Sequence, residues 1–251
     1  MRTRRTSTKI CSTRYIAGRL RVSAKVSAGK QVFAIVKKDV LAELRTKEMV
    51  IAMLLFVILA MVVFSQAFAV ILNDLDRVGG GLLWVAFLFM SMLGLNRSFV
   101  HEKDEGCLEG LLMSPIDRPL IFFGKMLGNL LFLSIVELFA VPIFFVLFRL
   151  ELGASLAGIF VATIFLSNIG IACVGTLLST ISINTKTRDL MLPILFMPVI
   201  IPLLIAAVSA TGGIMSGAEL AEVYRSMRFI AVYDIIFLLV AYALYDYVIS
   251  E

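Results

Sequence analysis

The sequence predicts an all-α, polytopic membrane protein with about six transmembrane helices and both termini in the cytoplasm. Three observations carry that prediction. Of the 251 residues, 60% are hydrophobic and only 16% charged, outside the ordinary range for water-soluble domains. Apolar runs of about 20 residues, enough to cross a hydrocarbon core, recur along the chain and leave no room for a separate soluble domain. Lys and Arg are unevenly placed: nineteen of the 23 fall in the N-terminal arm and in alternate connections, and only Arg77, Arg149, Arg225 and Arg228 fall opposite. That bias sets the basic side in the cytoplasm. Because backbone polar groups find no water in lipid, the runs must be helices, and they are too long and uniformly apolar for barrel strands. The net charge of +5 points to anionic lipid as a partner and not to nucleic acid.

Taken in order, residues 1–30 form a basic arm rich in Arg, Ser and Thr. It has no apolar core and so does not read as a secretory signal; a disordered tail, an organellar transit-like segment and a mis-assigned start all fit it. Residues 31–48, "QVFAIVKKDVLAELRTKEM" with its last residue opening the next run, set Phe33, Val36, Val40 and Leu44 at helical spacing. Lys37, Lys38, Glu43 and Lys47 lie between them, which predicts an amphipathic helix lying at the membrane interface. The remainder, 49–251, is one membrane domain of six spans. Its spans are expected at 49–72, 81–99, 120–148, 156–181, 190–211 and 229–249.

Much chemistry is excluded. The pairs Gly29-Lys30 and Gly124-Lys125 are followed by Gln and Met, so no phosphate-cradling GxxxxGK[ST] loop exists. The one histidine, His101, is followed by "EKDE" and cannot begin an HExxH zinc site; in a charged segment it also makes a poor haem ligand. Cys11, Cys107 and Cys173 are widely spaced, with no CxxC and no disulfide framework. The methionines are scattered through apolar runs, where packing is their common use. No metal or cofactor is expected on this chain, and no catalytic residue.

Ionisable groups inside spans are expensive and therefore informative. Glu137 lies near the middle of the third span and Asp234 near the start of the sixth. For Glu137 three roles stand open: a proton-coupled carrier site, a helix–helix hydrogen-bond anchor, or a contact to a partner subunit. The fifth span carries Pro193, Pro198 and Pro202, each removing a backbone donor. A bend or hinge is expected there, or a short re-entrant pair at 205–215.

Between the second and third spans stands "NRSFVHEKDEGCLEGLLMSP". As a helix from about Val100, it aligns Glu102, Glu105 and Glu109 on one stripe and Leu108, Leu111 and Leu112 on the next, with Asp104 beside them. Gly106 and Gly110 interrupt it, and Pro115 and Pro119 end it. An amphipathic helix on the cytoplasmic face with nothing of its own chain to cover it implies a partner.

"HEKDEGCLEGLLMSP" resembles the E-x-G-[TS]-L-E-x-L-x-x-S/L-P signature of type-2 ABC exporter permeases, where this connection couples the membrane subunit to its ATPase. Within that superfamily the lead-in "GLLWVAFLFMSMLGLNRSF", the exit "SPIDRPLIFFGKM" and the proline-rich "RDLMLPILFMPVIIPLLIAA" are most similar to the haem exporter B family, the cytochrome c maturation B permeases. The resemblance covers about 32–247; Cys107 stands where the family has Thr or Ser, a nearly isosteric change.

The resemblance implies an ABC-2 exporter-like fold and a non-catalytic permease subunit of the bacterial inner membrane, ahead of the mitochondrial one. It would work with a separate ATPase (cytochrome c maturation A) that holds ATP and Mg²⁺, and with membrane partners of the C and D type. Haem is then cargo, or is handled by the partners, on its way to a periplasmic haem chaperone. In that frame Glu102, Asp104, Glu105 and Glu109 set polar contacts on the ATPase, and Leu108, Leu111 and Leu112 anchor the segment. Two rivals remain: an ABC-2 permease for a drug, lipid or glycan, and a proton-coupled secondary carrier centred on Glu137.

Overall fold

A computed structural model describes residues 27–68, 75–104, 118–150, 152–182 and 188–250. The described residues form seven helices and no strand: α1 Ala28–Thr46, α2 Glu48–Ala67, α3 Leu75–Asp104, α4 Arg118–Phe148, α5 Ala154–Ser182, α6 Arg188–Ser216 and α7 Leu220–Ser250. Six of these, α2 to α7, are long and apolar enough to cross a membrane. The chain is an all-α, multi-pass membrane protein.

The bundle is organised around α6, which packs on α3, α5 and α7, while α4 joins α2, α3, α5 and α7 on the other side and α1 docks on α4. Trp84, Phe87, Phe122, Phe144, Phe160, Phe196 and Tyr245 are fully buried between these helices. Outward-facing Ile51, Leu55 and Leu59 of α2, Leu138 and Val146 of α4, and Leu239 of α7 are exposed. In lipid that pattern needs no covering, since acyl chains are as apolar as leucine and helices associate through packing and polar contacts. Small residues provide those contacts. At Gly80 a Cβ would lie 3.0 Å from the Gly212 backbone nitrogen, so α3 and α6 touch backbone to backbone. Beside that contact Trp84 Nε1 donates to Thr211 Oγ1 at 3.1 Å.

Three boundaries differ from the sequence expectation. The second span does not end before the charged segment: α3 runs unbroken to Asp104, because no Gly or Pro lies between Gly94 and Asp104 to stop it. The sixth starts at Leu220, nine residues before Phe229, as the polar stretch with Glu222, Arg225 and Arg228 extends the same helix beyond its apolar part. The expected re-entrant pair at 205–215 does not form: α6 is one helix from Arg188 to Ser216 with all three prolines inside it. The prolines free the carbonyls four residues back, those of Asp189, Ile194 and Pro198; one residue beyond the last of these, the Tyr233 hydroxyl of α7 donates to the Val199 carbonyl at 2.7 Å and ties the proline-rich helix to α7.

Candidate functional site: the charged end of the bundle and the α4–α5 seam

The elbow between α1 and α2 is a single residue. Lys47 adopts the left-handed conformation at φ 56°, which ends α1 and allows α2 to leave in a new direction. The first turn of α2 has amides with no intrahelical partner. Glu43 of α1 meets two of them, its Oε1 accepting from the Met49 N–H at 2.9 Å and the Val50 N–H at 3.0 Å. One carboxylate therefore fixes the angle between the two helices.

α1 is also held against α4. Gly124 and Gly128 form a small-xxx-small step on α4 that admits a close neighbour, and a Cβ at Gly124 would lie 2.9 Å from Ile35 Cβ. Next to that contact Lys125 Nζ meets Asp39 Oδ2 at 2.9 Å, with the lysine side chain only 2% exposed and the aspartate 12%. Lys38 approaches the other oxygen of Asp39 at 3.2 Å. The protein-facing line of α1 is thus Ile35 and Asp39. Phe33, Leu41 and Leu44, two of them members of the expected apolar stripe, are exposed instead. Lys125, which charge counting assigns to a loop, lies within α4 and is paired.

The sequence-predicted coupling residues divide. Glu102 and Asp104 belong to the last turn of α3, whereas Glu105, Leu108, Glu109, Leu111 and Leu112 lie outside the described residues. Both helix ends that bracket them are anchored at the α1 end of the bundle. Arg97 of α3 donates to the Glu48 carbonyl at 3.2 Å, where α2 begins, and α4 enters from Arg118 to dock on α1 two turns later.

Glu137 is 3% exposed, facing α5, where its Oε2 accepts a hydrogen bond from Asn168 Nδ2. Two turns nearer the charged end, Asn129 of α4 donates to Thr176 of α5 at 2.9 Å. At the far end the seam closes on rings, Phe145 and Phe160 lying 5.4 Å apart edge to face. α5 adds buried Thr163, Ser167, Ser179 and Thr180. On its other side Gly170 receives the Asp234 carboxyl and Leu203 directly against its backbone. Sequence reasoning singled out Glu137 and Asp234 but missed Asn129, Asn168 and Asp39. A span-by-span search for amides finds the two asparagines, and the GxxxG at Gly124 and Gly128 beside Lys125 marks the place where Asp39 docks.

Comparison with known proteins agrees in extent with this architecture. The family model described as CcmB protein matches residues 30–245, from α1 into the last turns of α7. The chain is 25% identical to "Heme exporter protein B" of Bradyrhizobium diazoefficiens over 73% of this chain and 82% of that one. It is 25% identical to the protein of the same description from Haemophilus influenzae over 70% of this chain and 78% of that one. With the Rhodobacter capsulatus protein of that description it shares 28% identity over 52% and 59%. This membrane protein therefore belongs to the CcmB family of transporter components.

Proposed function

We propose that the chain is the permease subunit of an ABC haem exporter serving c-type cytochrome assembly, in a bacterial inner membrane and driven by a separate ATPase. The observation that carries this is the CcmB family match over 30–245, which includes the whole charged segment. It agrees with the name "Heme exporter protein B" borne by the curated relatives. The chain is then a transporter component and not an enzyme: ATP and Mg²⁺ belong to the partner, haem is cargo or is passed by partners of the C and D type, and this chain binds no resident cofactor.

The geometry suits force transmission. α3 extends seven residues beyond the apolar window that ends at Arg97, a rigid projection of about 10 Å. Its return helix, α4, is clamped to α1 through Asp39 and Lys125. A partner that grips Glu105, Glu109, Leu108, Leu111 and Leu112 acts on the ends of these two helices. The exposed Phe33, Leu41 and Leu44 beside Lys37 and Arg45 suit α1 to the lipid–water boundary, and α6, with Pro193, Pro198 and Pro202, is the helix suited to flex.

Co-purification of the tagged protein from its native membrane, followed by mass spectrometry, tests the assignment. An ATPase with two small membrane partners supports it. Recovery of a drug-, lipid- or glycan-export ATPase, or of no ATPase from a folded preparation, overturns it.

A further inference from the structure

Helices α4 and α5 run antiparallel in a fixed register. Asn129 faces Thr176, Glu137 faces Asn168 and Phe145 faces Phe160, so eight residues along α4 match eight back along α5 at each step. The middle rung is incomplete. Asn168 Nδ2 donates to Glu137 Oε2, yet the remaining two atoms of the pair, Glu137 Oε1 and Asn168 Oδ1, are buried without any hydrogen-bond partner. With the carboxyl ionised both are acceptors and neither can serve the other.

Among the described residues no cation stands by. Lys125, three turns back on α4, is taken by Asp39 of α1. Beyond α5, Asp234 of α7 lies against Gly170, with Cys173 and Tyr233 as its electrostatic neighbours. α2 and α3 bring no buried ionisable group among the described residues. An ionised Glu137 is then a buried charge without a counter-charge, beside an amide oxygen without a donor, and both are costly in an apolar bundle.

We propose that Glu137 and Asn168 form a proton-binding site, in which a proton on Glu137 Oε1 donates to Asn168 Oδ1 and closes a cyclic acid–amide pair between α4 and α5. One proton satisfies both orphaned atoms. A hard cation wants about six oxygen ligands, and the pair has two free. Because α4 is the helix that leaves the coupling segment, parting it from α5 opens the ring and returns the proton to water, leaving a carboxylate. Proton occupancy is thereby linked to the position of α4. The inference stands on the α4–α5 contact and holds whatever the cargo.

The test is infrared difference spectroscopy on the full-length protein in lipid vesicles, stepped from about pH 5 to about pH 9, with thermal unfolding alongside. Because Asp234 is a second buried carboxyl, the comparison is made in the Asp234→Asn background, which is expected to show a carboxylic-acid carbonyl band that fades as pH rises and is missing once Glu137→Gln is added. That double variant keeps both bonds, its Nε2 donating to Asn168 Oδ1, so it folds, and its unfolding midpoint falls less with rising pH than that of the Asp234→Asn parent. The Asp234→Asn background, unchanged at 137, must retain the titrating band. The proposal is overturned if no band titrates in that background, if the band survives Glu137→Gln, or if stability follows sodium or potassium concentration and not pH.

Discussion

At Lys47 a non-glycine residue holds a left-handed conformation that ordinary L-residues adopt at a cost of about 1–2 kcal/mol. Glycine adopts it without that cost, so Lys47→Gly is expected to raise the thermal unfolding midpoint in detergent while Lys47→Val lowers it. Glu43 is the second part of the elbow. Glu43→Ala leaves the Met49 and Val50 amides without their carboxylate acceptor, a loss of about 1–2 kcal/mol by analogy with removal of a helix cap; Glu43→Gln, which keeps a carbonyl oxygen, should lose less. Lys125 offers a sharper case. Lys125→Met takes the buried cation from Asp39 and leaves it Lys38 alone, at a cost of up to about 3 kcal/mol, whereas the double variant with Asp39→Leu should recover most of the stability. A double-mutant cycle on unfolding midpoints checks this, and additive losses would show that the pair does not couple the two helices.

Among the elements, α1 and α4 show how far the sequence could be read. The spans were legible because each is a long apolar run, and lipid admits nothing but helix there. The docking of α1 was not, because Lys125 looks like a loop charge until Asp39 is placed beside it, and Gly124 and Gly128 look like weak helix formers until Ile35 lies over the first and Asp39 over the second. Period alone ranks Phe33 and Leu44 with the apolar face, but an interfacial helix has two apolar partners, protein and lipid, and a hydrophobic pattern does not say which. The same limit applies at Glu137: one acid in a span is visible, while its partner Asn168 is thirty-one residues away on another helix. Tyr233, which serves the Val199 carbonyl in the proline-rich helix, was hidden likewise. The contact geometry predicts that Gly124→Leu displaces α1 from α4, since even the first added carbon meets Ile35 Cβ at 2.9 Å. Limited proteolysis in vesicles should then cut the α1–α2 junction faster, with the six spans unchanged. Equal protection in Gly124→Leu and wild type would mean that α1 is held by lipid alone.

For the molecule as a whole, the question is how movement enters a bundle whose described core is tightly packed. α3 is the direct route, because its apolar span and the start of the charged segment are one uninterrupted helix. A torque on Glu102 and Asp104 is a torque on Trp84 and on the α3–α6 contact at Gly80 and Thr211. A break just beyond the span should cut this route without touching the residues proposed to grip the ATPase. Ser98→Pro removes one backbone donor and crowds the preceding turn, a penalty of about 3 kcal/mol. Ser98→Ala preserves the helix. The expected result is that Ser98→Pro still inserts and still co-purifies with its ATPase, but stimulates ATP hydrolysis less and supports c-type cytochrome formation at least tenfold less well. Ser98→Ala should match the wild type. Glu109→Lys and Leu112→Asp should instead lose the ATPase from the purified complex. If Ser98→Pro matures cytochromes normally, force does not travel along α3, and the clamped return helix α4 is left as the path into the bundle. Lys125→Met, which releases α4 from α1, is then the single variant expected to lose activity while keeping its partner.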